Sequence, residues 1–242
     1  MPSPLATPRP HGLADGDSSE RRNRLVLGGR PEAKPLFRGW LHLVALLVTL
    51  VAGPLLITSA SSATQVVELS IYVASLACLF GVSATYHRIN WAPGPRRVMK
   101  RLDHSTIFFA IAGSYSAIGG LSLHGWALVL ILSLVWSGAL IGIVVRQCWL
   151  DAPSAAVGVP YVVTGWCALA VLPQLERGLG PAGFSLVLVG GVFYSLGAAV
   201  YATRKPDPWP RVFGFHEVFH ALTVLGAAAQ FAAVAAFALP SR

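Results

Sequence analysis

Charge is what this chain has least of. Asp, Glu, Lys and Arg make up 12% of its 242 residues, only 10 of them acidic, while 55% are hydrophobic and mean hydropathy is +0.63. A soluble globular domain carries about 25% charged and roughly 45–50% apolar residues. With half the usual charge the chain cannot cover a folded surface in water, which excludes a water-soluble globular enzyme and a disordered protein. Cysteine is scarce too. Cys78, Cys148 and Cys167 are odd in number, lie in or beside apolar stretches, and have neither metal-ligand spacing nor a disulfide framework. They read as small apolar residues in packed helices.

What is present in abundance is long apolar runs. Residues 1–39 are rich in Pro, Gly and charge without apolar periodicity, and read as a mobile tail outside the lipid. Arg21-Arg22 resembles a twin-arginine signal, but the apolar run begins only near Trp40. It is too distant and too long for an h-region of roughly 7–15 residues, so the first apolar stretch is expected to remain as a membrane anchor. Apolar stretches then recur at about 40–60, 66–88, 103–122, 125–145, 155–173, 181–203 and 213–239, each near the roughly 20 residues that cross a bilayer. Helices alone satisfy their own backbone in lipid without closing a barrel, and these runs are too long for barrel strands. The expected fold is all-α: a seven-transmembrane helix bundle over 40–239 following the tail.

Basic residues set the orientation. If the spans alternate, all of the 18 Lys and Arg except Arg177 and Arg242 fall on one side. The positive-inside rule then places the amino terminus in the cytoplasm and the carboxyl terminus outside. The net charge of +8 follows from topology and anionic headgroups, with no nucleic-acid partner implied.

Ionisable side chains inside a membrane are costly and mark function by default. Here they cluster. His87 ends the second span, Asp103 and His104 open the third, and His216, Glu217 and His220 open the seventh. All three places share one depth near the cytoplasmic face. His216 and His220 stand on one helix face about 6 Å apart along the axis. Ser83 and His87 repeat that step on the second span. Three histidines with one open position form the ligand set of a catalytic zinc site, where bound water acidifies toward a pKa of about 7. Asp103, from a third helix, is placed to hold that water or move its proton.

Other polar residues read as structural. His11, His42 and His124 are taken as polar residues at headgroup level, and Glu68 as a solvated helix start at the opposite face. His104 points about 100° around the helix from Asp103. A hydrogen-bonded network stitching helices together is the structural alternative for His87, His216 and His220. The string from His216 to His220 also fits H-E-x-x-H, in which the glutamate is a general base. Against a protease, no acidic residue follows Glu217 to serve as a third ligand.

Four motifs in order resemble the haemolysin III family: Ser83-Ala84-Thr85-Tyr86-His87, Arg101-Leu102-Asp103-His104 with Ile107, Gly113-Ser114-Tyr115, and Phe213 through His220. That family is grouped with the progestin and adipoQ receptors and, more distantly, the alkaline ceramidases. The resemblance spans about residues 36–239. It implies that His87, His216 and His220 bind zinc, that Asp103 interacts with the zinc-bound water, and that Ser83 is the serine one turn before the first histidine. It further implies a multi-pass protein of the bacterial inner membrane with a membrane lipid as substrate or ligand, its acyl chain held among the helices. The expected function is a zinc-dependent hydrolase of a lipid amide or ester, with Asp103 and Ser83 catalytic. The alternatives are a pore-forming cytolysin, as the family name records, a lipid receptor with structural zinc, and, last, an H-E-x-x-H protease.

Overall fold

A computed structural model describes residues 34–149 and 153–238. His11, Arg242 and the tail up to residue 33 lie outside the described residues. Every regular element described is helical: α1 (Trp40–Thr58), α2 (Ala63–Arg88), α3 (Pro93–Ser122), α4 (Gly125–Cys148), α5 (Ser154–Gly165, continued by a 3₁₀ turn Trp166–Val171), α6 (Leu172–Thr203) and α7 (Phe215–Ala233, ending in a π-helical turn Val234–Ala238).

Among the described residues, six helical stretches are long and apolar enough to cross a membrane, as befits a multi-pass membrane protein. The fifth extends over 46 residues, which would be roughly 69 Å of straight helix at 1.5 Å per residue, about twice a hydrocarbon core. It is two crossings. Gly180, at φ 67° and ψ 170°, adopts a conformation essentially restricted to glycine and breaks α6. Residues 181–203 then fold back on α5. The Trp166 indole N–H donates to Ser195 Oγ at 2.9 Å, and Gly158 lies against the Ala198 carbonyl, an antiparallel register. Seven crossings result, as the hydropathy pattern predicts.

The helices pack largely in chain order, and contact between α1 and α7 closes the ring. α3 sits innermost: 61% of its apolar window is buried, against 22% in α1 and in α4. The outer helices present Leu47, Val51 and Leu55, one helical turn apart, to the surroundings, where lipid rather than water can accept them.

Two boundaries depart from the hydropathy reading. α3 begins ten residues earlier than the apolar stretch, because Pro93 at the first helical position starts it and Arg96, Arg97, Lys100 and Arg101 continue it as a polar turn. Asp103 therefore sits in the third turn rather than opening the helix. The tail also ends sooner than residue 39. Residues 36 and 37 donate backbone hydrogen bonds to the Arg211 and Val212 carbonyls at 3.2 and 3.1 Å, strapping the approach to α1 onto the loop between α6 and α7.

Candidate functional site

Three helix ends meet where α2 finishes and α7 begins. Their closeness depends on Gly39, the residue before α1, which has φ 78°. A Cβ there would lie 3.1 Å from His87 Cβ and 3.3 Å from the Ala84 carbonyl. Glycine thus supplies both the left-handed backbone and the clearance that brings α1 against the end of α2. On the other side, Phe215 N–H donates to Asp207 Oδ1 at 2.8 Å. That bond satisfies one of the open donors at the start of α7 and holds His216 and His220 at the bundle's end.

His87, His216 and His220 converge, each offering a ring nitrogen within 4.8 Å of the other two. His87 Nε2 and His216 Nε2 are 3.1 Å apart. Tetrahedral coordination at about 2.0–2.1 Å would set ligand nitrogens roughly 3.3 Å apart, so this pair already has the spacing of two ligands on one ion. Asp103 Oδ2 lies 3.7 Å from His87 Nε2, and Ser83, one turn before His87 on α2, lines the same cavity head as Asp103. His87, Asp103, Ser83 and His220 are all buried. The donor set is imidazole plus carboxylate with no thiolate, which suits zinc, copper, iron or nickel. These residues could hold one metal ion, with a carboxylate alongside to accept or hold a proton.

Each predicted site residue is thus found at one place. The residues read as bystanders divide. His104 turns away from the cluster: its Nδ1 meets the Arg146 guanidinium, and its carbonyl accepts the Tyr161 hydroxyl at 3.0 Å. Glu217 is buried but does not join the histidines. Its Oε1 accepts Arg38 Nε, and its Oε2 accepts Gly214 N–H at 2.9 Å, the glutamate half of a capping box. The acid of the H-E-x-x-H string therefore caps a helix and anchors the strap before α1. His124 is the N-cap residue of α4. Glu68 departs from the solvated reading: it is half-buried, and its carboxylate fills the space a side chain at Gly120 would take on α3.

One residue was missed. His42, on the first turn of α1, is 2% exposed, stacks flat on His220 with ring centroids 3.8 Å apart, and neither ring nitrogen has a hydrogen-bond partner. The available signal was its depth, one turn into a span that starts on the histidine side. A lone imidazole on an otherwise apolar helix carries no spacing to reveal its partner.

From this cluster a cavity of about 120 Å³ runs into the bundle between α3, α5, α6 and α7. Ser83, Asp103, His216 and His42 line its head, and Tyr194, Trp166 and Gln230 its depth.

Comparison with known proteins finds relatives across most of the chain. The Haemolysin-III related family profile matches residues 32–231. Hemolysin-3 from Bacillus cereus is 29% identical over 206 residues, covering 83% of this chain and 90% of that protein. The hemolysin-3 homolog of Bacillus subtilis (strain 168) is 30% identical over 193 residues, 78% of this chain and 87% of the relative.

Proposed function

The chain belongs to the haemolysin III family, and on that footing we propose that it is a zinc-dependent hydrolase of a lipid amide or ester in the bacterial inner membrane. The observation that carries the reading is the convergence of His87, His216 and His220 beside a buried carboxylate, at the head of a largely apolar cavity. In the proposal the three imidazoles hold the ion. A bound zinc supplies Lewis-acid polarisation of a carbonyl and an acidified water at neutral pH. Asp103 takes a proton at Oδ2 and delivers it to the departing amine or alcohol. Ser83 holds the Asp103 carboxylate in position through its hydroxyl. The cavity walls keep bulk water from the acyl chain.

The H-E-x-x-H protease reading loses its base, since both oxygens of Glu217 are engaged in holding Arg38 and the start of α7. A lipid receptor with a structural ion uses the same ligands without turnover. The name of the Bacillus cereus relative records haemolysis, and leakage of dye-loaded vesicles by pure protein tests whether that property extends here.

The test is purification in detergent, metal analysis and incubation with fluorescent ceramide and N-acyl amino acids. Bound zinc near one per chain, with turnover lost in Asp103→Asn, is the expected result. Fewer than about one zinc per ten folded chains overturns the reading. Bound zinc without turnover of any acyl lipid leaves the receptor reading in its place.

A further inference from the structure

The cavity below the histidines does not end at a wall of packed side chains. A second, smaller cavity of about 40 Å³ continues toward the far end of α3 as far as Leu123. The two share the lining residues Ser114, Tyr115, Gly165, Trp166, Gly191 and Gln230. These six form a partition between an upper chamber, open to the metal-ligand cluster, and a lower one. The partition differs from the walls in one respect. Gln230 Oε1 is buried there with no hydrogen-bond partner, on a helix face that is otherwise small and apolar. A carboxamide oxygen in that state is satisfied by water and is penalised when a hydrocarbon strips the water away.

We infer that Gln230 and the partition around it set the length of acyl chain the protein accepts. This inference rests on the lipid-binding part of the proposed function. His216 and Gln230 are fourteen residues apart on α7, roughly 21 Å of helix. Asp103 and Ser114 are eleven residues apart on α3, roughly 16 Å. An extended chain advances roughly 1.2 Å per bond, a third of its ~3.6 Å per residue, so the distance from the ligands to Gln230 equals the extended length of about 14 to 17 carbons. Each added methylene strengthens binding until the terminal methyl reaches Gln230. A longer chain meets the Trp166 edge and must strip the water from the Gln230 carboxamide, which weakens its binding. The lower chamber continues from Ser114 to Leu123, roughly 14 Å farther along α3, and the partition is what withholds it.

The experiment is competition for radiolabelled palmitate on the full-length protein in nanodiscs, with laurate, palmitate and behenate as unlabelled competitors and zinc measured on the same sample. For the wild type, palmitate is expected to compete at least tenfold better than either the shorter or the longer acid. In Gln230→Ala, which shortens the side chain and removes its amide, behenate is expected to match or exceed palmitate. Equal competition by palmitate and behenate in the wild type overturns the inference, and so does an unchanged preference in a folded Gln230→Ala protein. If that variant does not fold, the wild-type series decides alone. Palmitate retention with no length preference sinks the partition and leaves the proposed function standing. No retention by zinc-loaded wild type takes down both the partition and the lipid reading.

Discussion

The two ends of this bundle solve the same problem in opposite ways. Away from the histidine end, hydroxyl side chains turn back on their own helices: Ser116 donates to the Ala112 carbonyl at 3.0 Å, Ser185 to Pro181 at 2.7 Å and Ser195 to Gly191 at 2.8 Å. Such bonds satisfy each hydroxyl proton locally, and the oxygens of Ser116 and Ser195 each also accept a tryptophan N–H from a neighbouring helix. At the histidine end polar groups face one another across four helices. His42 comes from α1, His87 from α2, Asp103 from α3, and His216 and His220 from α7. Three buried imidazoles and the half-buried His216, with a single carboxylate among them, make a poor structural cluster, because they offer few complementary donor–acceptor pairs. Local satisfaction stabilises a fold, whereas a convergence of imidazoles around one carboxylate is the arrangement that a bound ion would complete.

The sharpest way to break that contrast is His220→Ala. Loss of one of three ligands is expected to lower bound metal by roughly tenfold or more, measured by elemental analysis of purified protein. A hydroxyl removed elsewhere, as in Ser185→Ala, is expected to leave metal content untouched. If both variants keep the metal, the histidine end is no different in kind from the rest of the bundle.

Glu217→Gln separates function from scaffold within the histidine end itself. The change leaves Arg38 paired with a neutral amide beside the buried start of α7. Breaking a fully buried pair costs about 3–5 kcal/mol. Arg38 keeps 23% of its side chain exposed, so roughly 2 kcal/mol is the expected loss in denaturation, with zinc binding retained. Loss of turnover at full stability would instead return Glu217 to the role its sequence motif suggests.

How far this division is legible in the sequence depends on spacing. His216 and His220 announce a shared helix face by their interval, and His87 stands out because ionisable residues in these spans are so few. The helical class and the seven crossings follow from runs of apolar residues, even where Gly180 and the 3₁₀ turn disguise two of them as one continuous helix. His42 is different. Its place on His220 exists because α1 closes the ring against α7, and the order of helices around a bundle is a long-range result that no local pattern encodes. Gln230 escaped for the same reason, being one amide on a small-residue face whose meaning comes from the cavity beside it. The early start of α3 was readable from Pro93, yet the basic turn that follows it masks the helix from a search for apolar runs.

Gly180→Ala probes the far end. No neighbour lies within 4 Å of where its Cβ would be, so the cost is that of the backbone conformation alone, about 1–3 kcal/mol. Reduced thermal stability in detergent with normal metal content is the expected outcome. Altered metal content would mean that the two ends are mechanically linked through α6.

Tyr115→Phe should have the smallest effect. The Tyr115 hydroxyl donates to the Gly165 carbonyl at 2.6 Å and accepts the Ala168 N–H at 2.8 Å, holding the change from α-helix to 3₁₀ turn in α5. Hydrogen bonds within membrane proteins average about 0.6 kcal/mol each, so losing two is expected to cost roughly 1 kcal/mol. The ring itself also lines the partition between the two chambers. If the hydroxyl only braces the helix, the variant loses that small stability and keeps its preference among fatty acids. A changed preference with stability intact would extend the partition's selective surface from Gln230 to Tyr115, and polar convergence would then occur at a second depth, in the half of the bundle where hydroxyls otherwise satisfy themselves.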